Sequence, residues 1–149
     1  MLMVMGGLFA ILLSFDMGIK QYIESTYKEK EEHETMIDKV VLRKVYNKGF
    51  ILNTLDKYPR IIKGVSVSSG AGIILYDIWL FIRKGRLLKK FGMVFLSAGA
   101  ASNIYDRLER GKVIDYIGVK SRNKFLSRLT ANLADMYVAL GAVLIGFTK

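Results

Sequence analysis

Cysteine is absent from the 149 residues, and histidine and proline occur once each. Without a thiol there is no disulfide framework, no zinc–thiolate site, no cysteine nucleophile and no lipidated cysteine. His33 alone supports neither a histidine dyad nor a multi-histidine metal site, and no metal or cofactor is expected. Acidic residues are scarce too: 13 Asp and Glu against 23 Lys and Arg leave a formal charge of +10. Such an excess ordinarily raises nucleic acid as a partner, so the positions of the cations decide the matter.

Charge is missing from whole stretches of the chain. Residues 1–15 carry none, and the apolar run continues past Asp16 and Lys20 to about residue 23. Residues 64–82 hold one charge, Asp77, and 129–147 hold one, Asp135. A further run, 91–105, reaches a similar length when Leu87 and Leu88 join it and Lys89 and Lys90 snorkel. A bilayer core asks for roughly 20 mainly apolar residues per helix. Soluble helices of this length carry a polar face; these runs are apolar all round, with small residues such as Gly70, Ala71 and Gly72 in place of charges. Small residues let helix backbones approach closely in lipid.

The expected fold is therefore an all-α integral membrane protein. One membrane-embedded domain would hold four transmembrane helices at about 2–23, 64–82, 87–105 and 129–147, with extracytoplasmic segments at 24–63 and 106–128. The first run has no basic residues ahead of it and no A-x-A site after it, so it reads as a span rather than a removable signal. Arg83, Lys84, Arg86, Lys89 and Lys90 crowd the second connection without an acid, which makes that loop cytoplasmic and both termini cytoplasmic with it. Much of the positive charge then lies beside membrane lipid headgroups, and nucleic acid becomes a poor partner. Residues 24–34 read as a solvated, helix-prone charged stretch. Residues 40–55 have the look of strand, turn and strand around Asn47-Lys48-Gly49, a small β element at the outer surface, with Pro59 ahead of the second helix.

Ionisable side chains in or near spans are costly and are functional candidates. Asp16 and Lys20, four apart, share a helix face and pair. Asp77 answers the basic cluster after it. Asp135 lies inside an apolar run with Asn132 one turn earlier and no cation in its helix, so it needs a partner from elsewhere. Asp115, 20 residues before it, sits in the short apolar patch Val113, Ile114, Tyr116 and Ile117, and the intervening loop returns the chain to the same boundary. Two carboxylates at close range do not both ionise, so one keeps a proton while the other stays charged. That is aspartic-protease chemistry, although spacing alone equally allows two separately hydrogen-bonded aspartates.

The residues GAASNIYDRLERGKVIDYIGV, 99–119, and LTANLADMYVALGAVLI, 129–145, resemble the signature blocks of lipoprotein signal peptidase (signal peptidase II), a family of bacterial membrane aspartyl endopeptidases. FDMGIK, 15–20, and NKGF, 47–50, resemble two shorter family elements more loosely. The resemblance implies that Asp115 and Asp135 are the catalytic pair. It implies that Asn103, Asp106, Arg107 and Asn132, together with Asp16 and Lys20, support the site, and that Asn47 and Gly49 belong to an outer element cradling substrate. It further implies cleavage of a lipid-modified prolipoprotein just before its diacylglyceryl-cysteine, without a metal, at the outer face of the bacterial cytoplasmic membrane. An Arg107–Asp106 pair is a local alternative to an Arg107 that touches substrate. Ser102 stands where the family usually has Gly, Tyr116 where it has Phe, and Ala131 where it has Phe; Met17 and the position of Phe50 also depart. Such departures bear on substrate preference and suit a divergent paralogue. A catalytically silent protein that binds lipidated peptides on the same scaffold, and a proton relay through the two aspartates, are the competing readings.

Overall fold

The computed structural model describes residues 1–29, 31–49 and 56–148. Five α-helices and four β-strands are present among them: α1 Leu2–Thr26, β1 Glu32–Glu34, β2 Val40–Asn47, α2 Pro59–Ile82, α3 Leu87–Tyr105, β3 Val113–Val119, α4 Lys124–Arg128, β4 Thr130–Ala131 and α5 Leu133–Gly146. A five-residue π-helical turn, Asp106–Arg110, carries α3 toward β3 and ends at Gly111, whose φ of 70° suits a residue without a Cβ.

α1 and α2 are each long and apolar enough to cross a membrane, by length and composition. α5 is apolar but shorter, with 14 residues. The helices pack around α3, which touches α1, α2 and α5. Its seam with α5 is tight because of glycine: a Cβ on Gly99 would collide with the Ala134 carbonyl oxygen, and one on Gly141 would meet Leu96 Cβ at 2.9 Å. Small residues thus bring two apolar helices to near backbone contact.

The second helix starts earlier than expected, at Pro59 rather than near 64. Proline suits that first position, since its fixed φ matches the helix and its missing N–H would have no intrahelical partner there. The last helix starts later, at Leu133 instead of 129, because Thr130 and Ala131 are drawn into a strand and Asn132 caps the helix after it. The stretch 24–34 is not a continuing helix either: α1 ends at Thr26 and Glu32–Glu34 pairs with β2.

The β element is larger than a local hairpin. The sheet order is β1-β2-β3-β4 and every pairing is antiparallel. β2 pairs with β3, drawn from the segment 106–128, with Val45 opposite Asp115 and Asn47 opposite Val113. The expected return strand after Asn47-Lys48-Gly49, Phe50 included, lies outside the described residues. Ile114 and Tyr116 pack on Ile23 of α1, seating the sheet on the helix bundle. In a strand, successive side chains alternate faces, so with Ile114 and Tyr116 turned to α1 the residue between them, Asp115, is turned the other way.

Candidate active site

The first turn of α5 explains much of the site. A helix start leaves N–H groups without intrahelical partners, and here each finds one. The Asp135 N–H donates to Asn132 Oδ1 at 2.9 Å, while the Asn132 N–H donates to Asp135 Oδ2 at 3.1 Å, a reciprocal capping box. The Ala134 N–H donates to Asp16 Oδ1 and the Leu133 N–H to the Tyr116 hydroxyl, both at 3.1 Å. Asp135 therefore sits where the helix dipole favours negative charge. It is exposed and lies in the first turn, not buried inside a span as expected from its run.

Asp115 approaches from β3 and is almost fully buried, 4% exposed. Its Oδ1 accepts from Asn132 Nδ2 at 2.8 Å and its Oδ2 from Asn47 Nδ2 at 3.1 Å. Burial, reinforced by the nearby charge of Asp135, pushes its carboxyl up to about 7, against the opposing pull of the two asparagine amides and of Lys20. Asn132 is the link between the two acids: its amide binds Asp115, and its main chain and side-chain oxygen bind Asp135.

Asn103 has one sensible amide orientation. Its Oδ1 accepts from Lys20 Nζ at 2.9 Å and Asn132 Nδ2 at 3.2 Å, and its Nδ2 donates to Asp135 Oδ1 at 2.8 Å. Behind it, Lys20 Nζ lies 2.8 Å from Asp16 and 3.0 Å from Asp106, and donates to Ser102 Oγ at 3.0 Å. Asp16, Lys20 and Ser102 are fully buried and Asp106 nearly so. The expected Asp16–Lys20 pair is thus one edge of a larger cluster. Asp106 does not pair with Arg107; it binds Arg110 at 2.8 Å and Lys20. Arg107 instead donates to Gly49 O at 3.3 Å and Asn103 O at 3.5 Å. Gly49 in turn donates its N–H to Asn47 Oδ1 at 3.1 Å, so the Asn47–Gly49 turn is tied to Asp115 at one side and Arg107 at the other.

A cavity of about 630 Å³ opens between α2, α3, α5 and the sheet. Asn47, Asn103, Arg107, Asp115 and Asp135 line it, while Asp16, Lys20, Asp106 and Gly49 do not. Asp77 stands apart: it accepts from Ser97 Oγ at 2.6 Å and, among the described residues, forms no ion pair with the basic cluster after it. No group of acids and histidine suited to a metal occurs among the described residues.

The family model for signal peptidase (SPase) II matches residues 8–148. The chain belongs to the signal peptidase II family. Among similar proteins, the lipoprotein signal peptidase of Moorella thermoacetica is 25% identical over 135 residues, covering 91% of this chain and 85% of its own. That of Sinorhizobium fredii is 29% identical over 135 residues, covering 89% and 77%. A bacterial membrane enzyme solved by the in meso method at 2.3 Å superposes with a TM-score of 0.81 over 95% of this chain and 84% of its own, at 22% identity. A second, at 1.9 Å, gives 0.73 over 95% and 89%, at 23% identity. The fold is that of a membrane enzyme, mostly helical with a small antiparallel sheet.

Within the signal peptidase II family pattern, the departures at Ser102 and Tyr116 turn out to be neighbours. Ser102 Oγ donates to Asp16 Oδ2, and the Tyr116 hydroxyl donates to Asp16 Oδ1 at 3.1 Å. Neither lines the cavity, whereas Ala131 does. Of these three departures, Ala131 is the one that borders the cavity. Sequence reasoning did not single out Ser66 or Arg128, which also line the cavity. Ser66 gave no signal because a serine in an apolar helix has the spacing of its neighbours and no motif of its own.

Proposed function

We propose that this signal peptidase II family member is an aspartyl endopeptidase that removes the signal peptide from lipid-modified prolipoproteins, cutting just before the diacylglyceryl-cysteine. The observation that carries this reading is Asn132: one residue holds Asp115 through its amide and Asp135 through its backbone, and both acids line one cavity. The two carboxylates differ in setting. Asp135 stands at a helix start, where the anion is favoured. Asp115 is buried and keeps its proton up to about pH 7.

From that asymmetry comes the division of labour. The Asp135 carboxylate takes a proton from a water whose oxygen attacks the scissile carbonyl carbon. Asp115 gives its proton to the carbonyl oxygen, forming a gem-diol. As the C–N bond breaks, Asp135 passes its proton to the leaving nitrogen, and the diol returns a proton to Asp115. Asn103 and Asn132 hold the acids in place through the hydrogen bonds they make to them. Asn47 and Gly49, tied to Asp115 and Arg107, serve as the outer element over the substrate.

The same reading extends to topology. We take α3 and α5 as spans alongside α1 and α2, with both termini cytoplasmic and the sheet and cavity at the outer face of the bacterial membrane. The test is a gel-shift assay with a diacylglyceryl-modified prolipoprotein in detergent or lipid, run on wild type, Asp115→Asn and Asp135→Asn. Processing by wild type and none by either variant is expected. Unchanged cleavage by either variant would sink the assignment, and binding without cleavage by wild type would favour the silent scaffold.

A further inference from the structure

One stripe of α2 is turned toward α3 and the catalytic cavity. Lys63 on this stripe donates to Leu108 O at 3.2 Å. A Cβ on Gly70 would press on Ile104 Cδ1 of α3 at 2.9 Å, and Asp77 accepts from Ser97 of α3. Steps of three, four and seven residues keep these positions on one helix face. Ser66 falls between Lys63 and Gly70 on that face, is 4% exposed, and lines the cavity that holds Asp115 and Asp135. Its Oγ is sealed from solvent and, among the described residues, hydrogen-bonds to nothing.

That is an unusual state for a helical serine, which ordinarily returns its hydroxyl to a carbonyl one turn earlier. A buried hydroxyl without a partner costs stability. Ser69, one turn further along the same wall, also lines the cavity. Asn103 of α3 and Asp135 and Val138 of α5 line the same cavity. The lining of the cavity thus includes a hydrogen-bond donor that, among the described residues, meets no acceptor.

We propose that Ser66 is a substrate-binding residue whose hydroxyl donates to a carbonyl oxygen of the bound lipopeptide. The proposal rests on the peptidase reading above and names a contact within it. Two parts of such a substrate present the same acceptor: the peptide backbone of the signal segment and the ester groups of the diacylglyceryl chain. A donor already desolvated in the free protein gives up little hydration when either arrives, so its bond adds to affinity.

The test uses the full-length protein in lipid with two precursors, one carrying a diacylglyceryl group and one carrying the dialkyl ether analogue, which has no ester carbonyl. With the diacyl precursor, Ser66→Ala is expected to raise KM about tenfold with little change in kcat, the loss of one hydrogen bond made equally in ground and transition states. Its thermal unfolding midpoint should stay the same or rise, since a buried unpartnered hydroxyl is removed, and Ser66→Thr should keep KM near wild type. An equal penalty with the ether precursor assigns the peptide carbonyl; a penalty confined to the diacyl precursor assigns the ester; both support the proposal. Wild-type KM for Ser66→Ala on both precursors overturns it while leaving the peptidase reading intact, as does a KM change accompanied by a matching fall in the unfolding midpoint. A wild-type protein that cleaves neither precursor overturns both.

Discussion

Two pairs of aspartates flank Asn103, and they are built from opposite ingredients. Asp16 and Asp106 share an ammonium, Lys20, with Ser102 and Tyr116 supplying further donors and almost no solvent reaching them. Asp115 and Asp135 share an asparagine, and their donors are the amides of Asn47, Asn103 and Asn132 and one backbone N–H. A cation between two carboxylates offsets the repulsion between their charges, and an uncharged amide offsets it less. The first pair is a buried, ion-paired strut, and on the mechanism proposed above the second trades a proton. On that mechanism the same residue type becomes structural or reactive according to what stands between its copies.

The comparison breaks most visibly through catalysis. Asp115→Asn or Asp135→Asn should lower processing by roughly 10^4-fold, the scale seen when a member of a catalytic unit is removed, with the unfolding midpoint near wild type. In the strut the reverse is expected. Lys20→Met leaves Asp16 and Asp106 buried without their shared cation and should cost about 3–5 kcal/mol of stability, read by thermal or denaturant unfolding. A Lys20→Met protein as stable as wild type would remove the distinction between strut and reactive pair.

Smaller changes sharpen it. Tyr116→Phe removes a donor to Asp16 and the acceptor of the Leu133 N–H; a loss of about 1–3 kcal/mol is expected, with turnover per folded molecule unchanged. A comparable drop in kcat would mean that the two pairs are not separable. The gentlest test is pH. On the proposed mechanism Asp115 acts as the acid in its protonated form, so activity should fall as pH rises through about 7. The Asn47 amide favours the ionised form, so Asn47→Ala should move that alkaline limb to higher pH. In stability the sign is the same: the folded protein binds this proton more tightly than the unfolded chain, whose ordinary carboxyl value is 3.8. Asp115 therefore contributes most below that value and loses its contribution as pH climbs through about 7. An alkaline limb indifferent to Asn47→Ala would separate it from Asp115.

Much of the helical plan was legible because apolar length is written along the chain. The third run, 87–105, coincides with α3, and Asp16 with Lys20 was readable from a spacing of four. Less legible was Asp135, whose surrounding run reads as helix interior. Only the pairing of Thr130–Ala131 with β3 moves the helix start to Leu133 and turns Asn132 and Asp135 into its cap. The pairing of β2 with β3 was hidden for a related reason. Those strands are separated by α2 and α3, and a turn-like Asn-Lys-Gly suggests a local partner before a distant one. The sequence leaves Arg107 open between pairing with Asp106 and touching substrate; in the structure Lys20, 86 residues before Asp106, and Arg110 take that carboxylate.

Composition and order along the chain determined that this protein would be apolar, helical and thiol-free, and the motif blocks carried its family. Those properties depend on residue type and near-neighbour spacing, which a linear string contains. Which acid keeps a proton, which cation neutralises which pair, and which serine waits without a partner were decided by the tertiary structure. Each depends on burial and on groups brought together from distant parts of the chain, and electrostatic interactions change sharply with both.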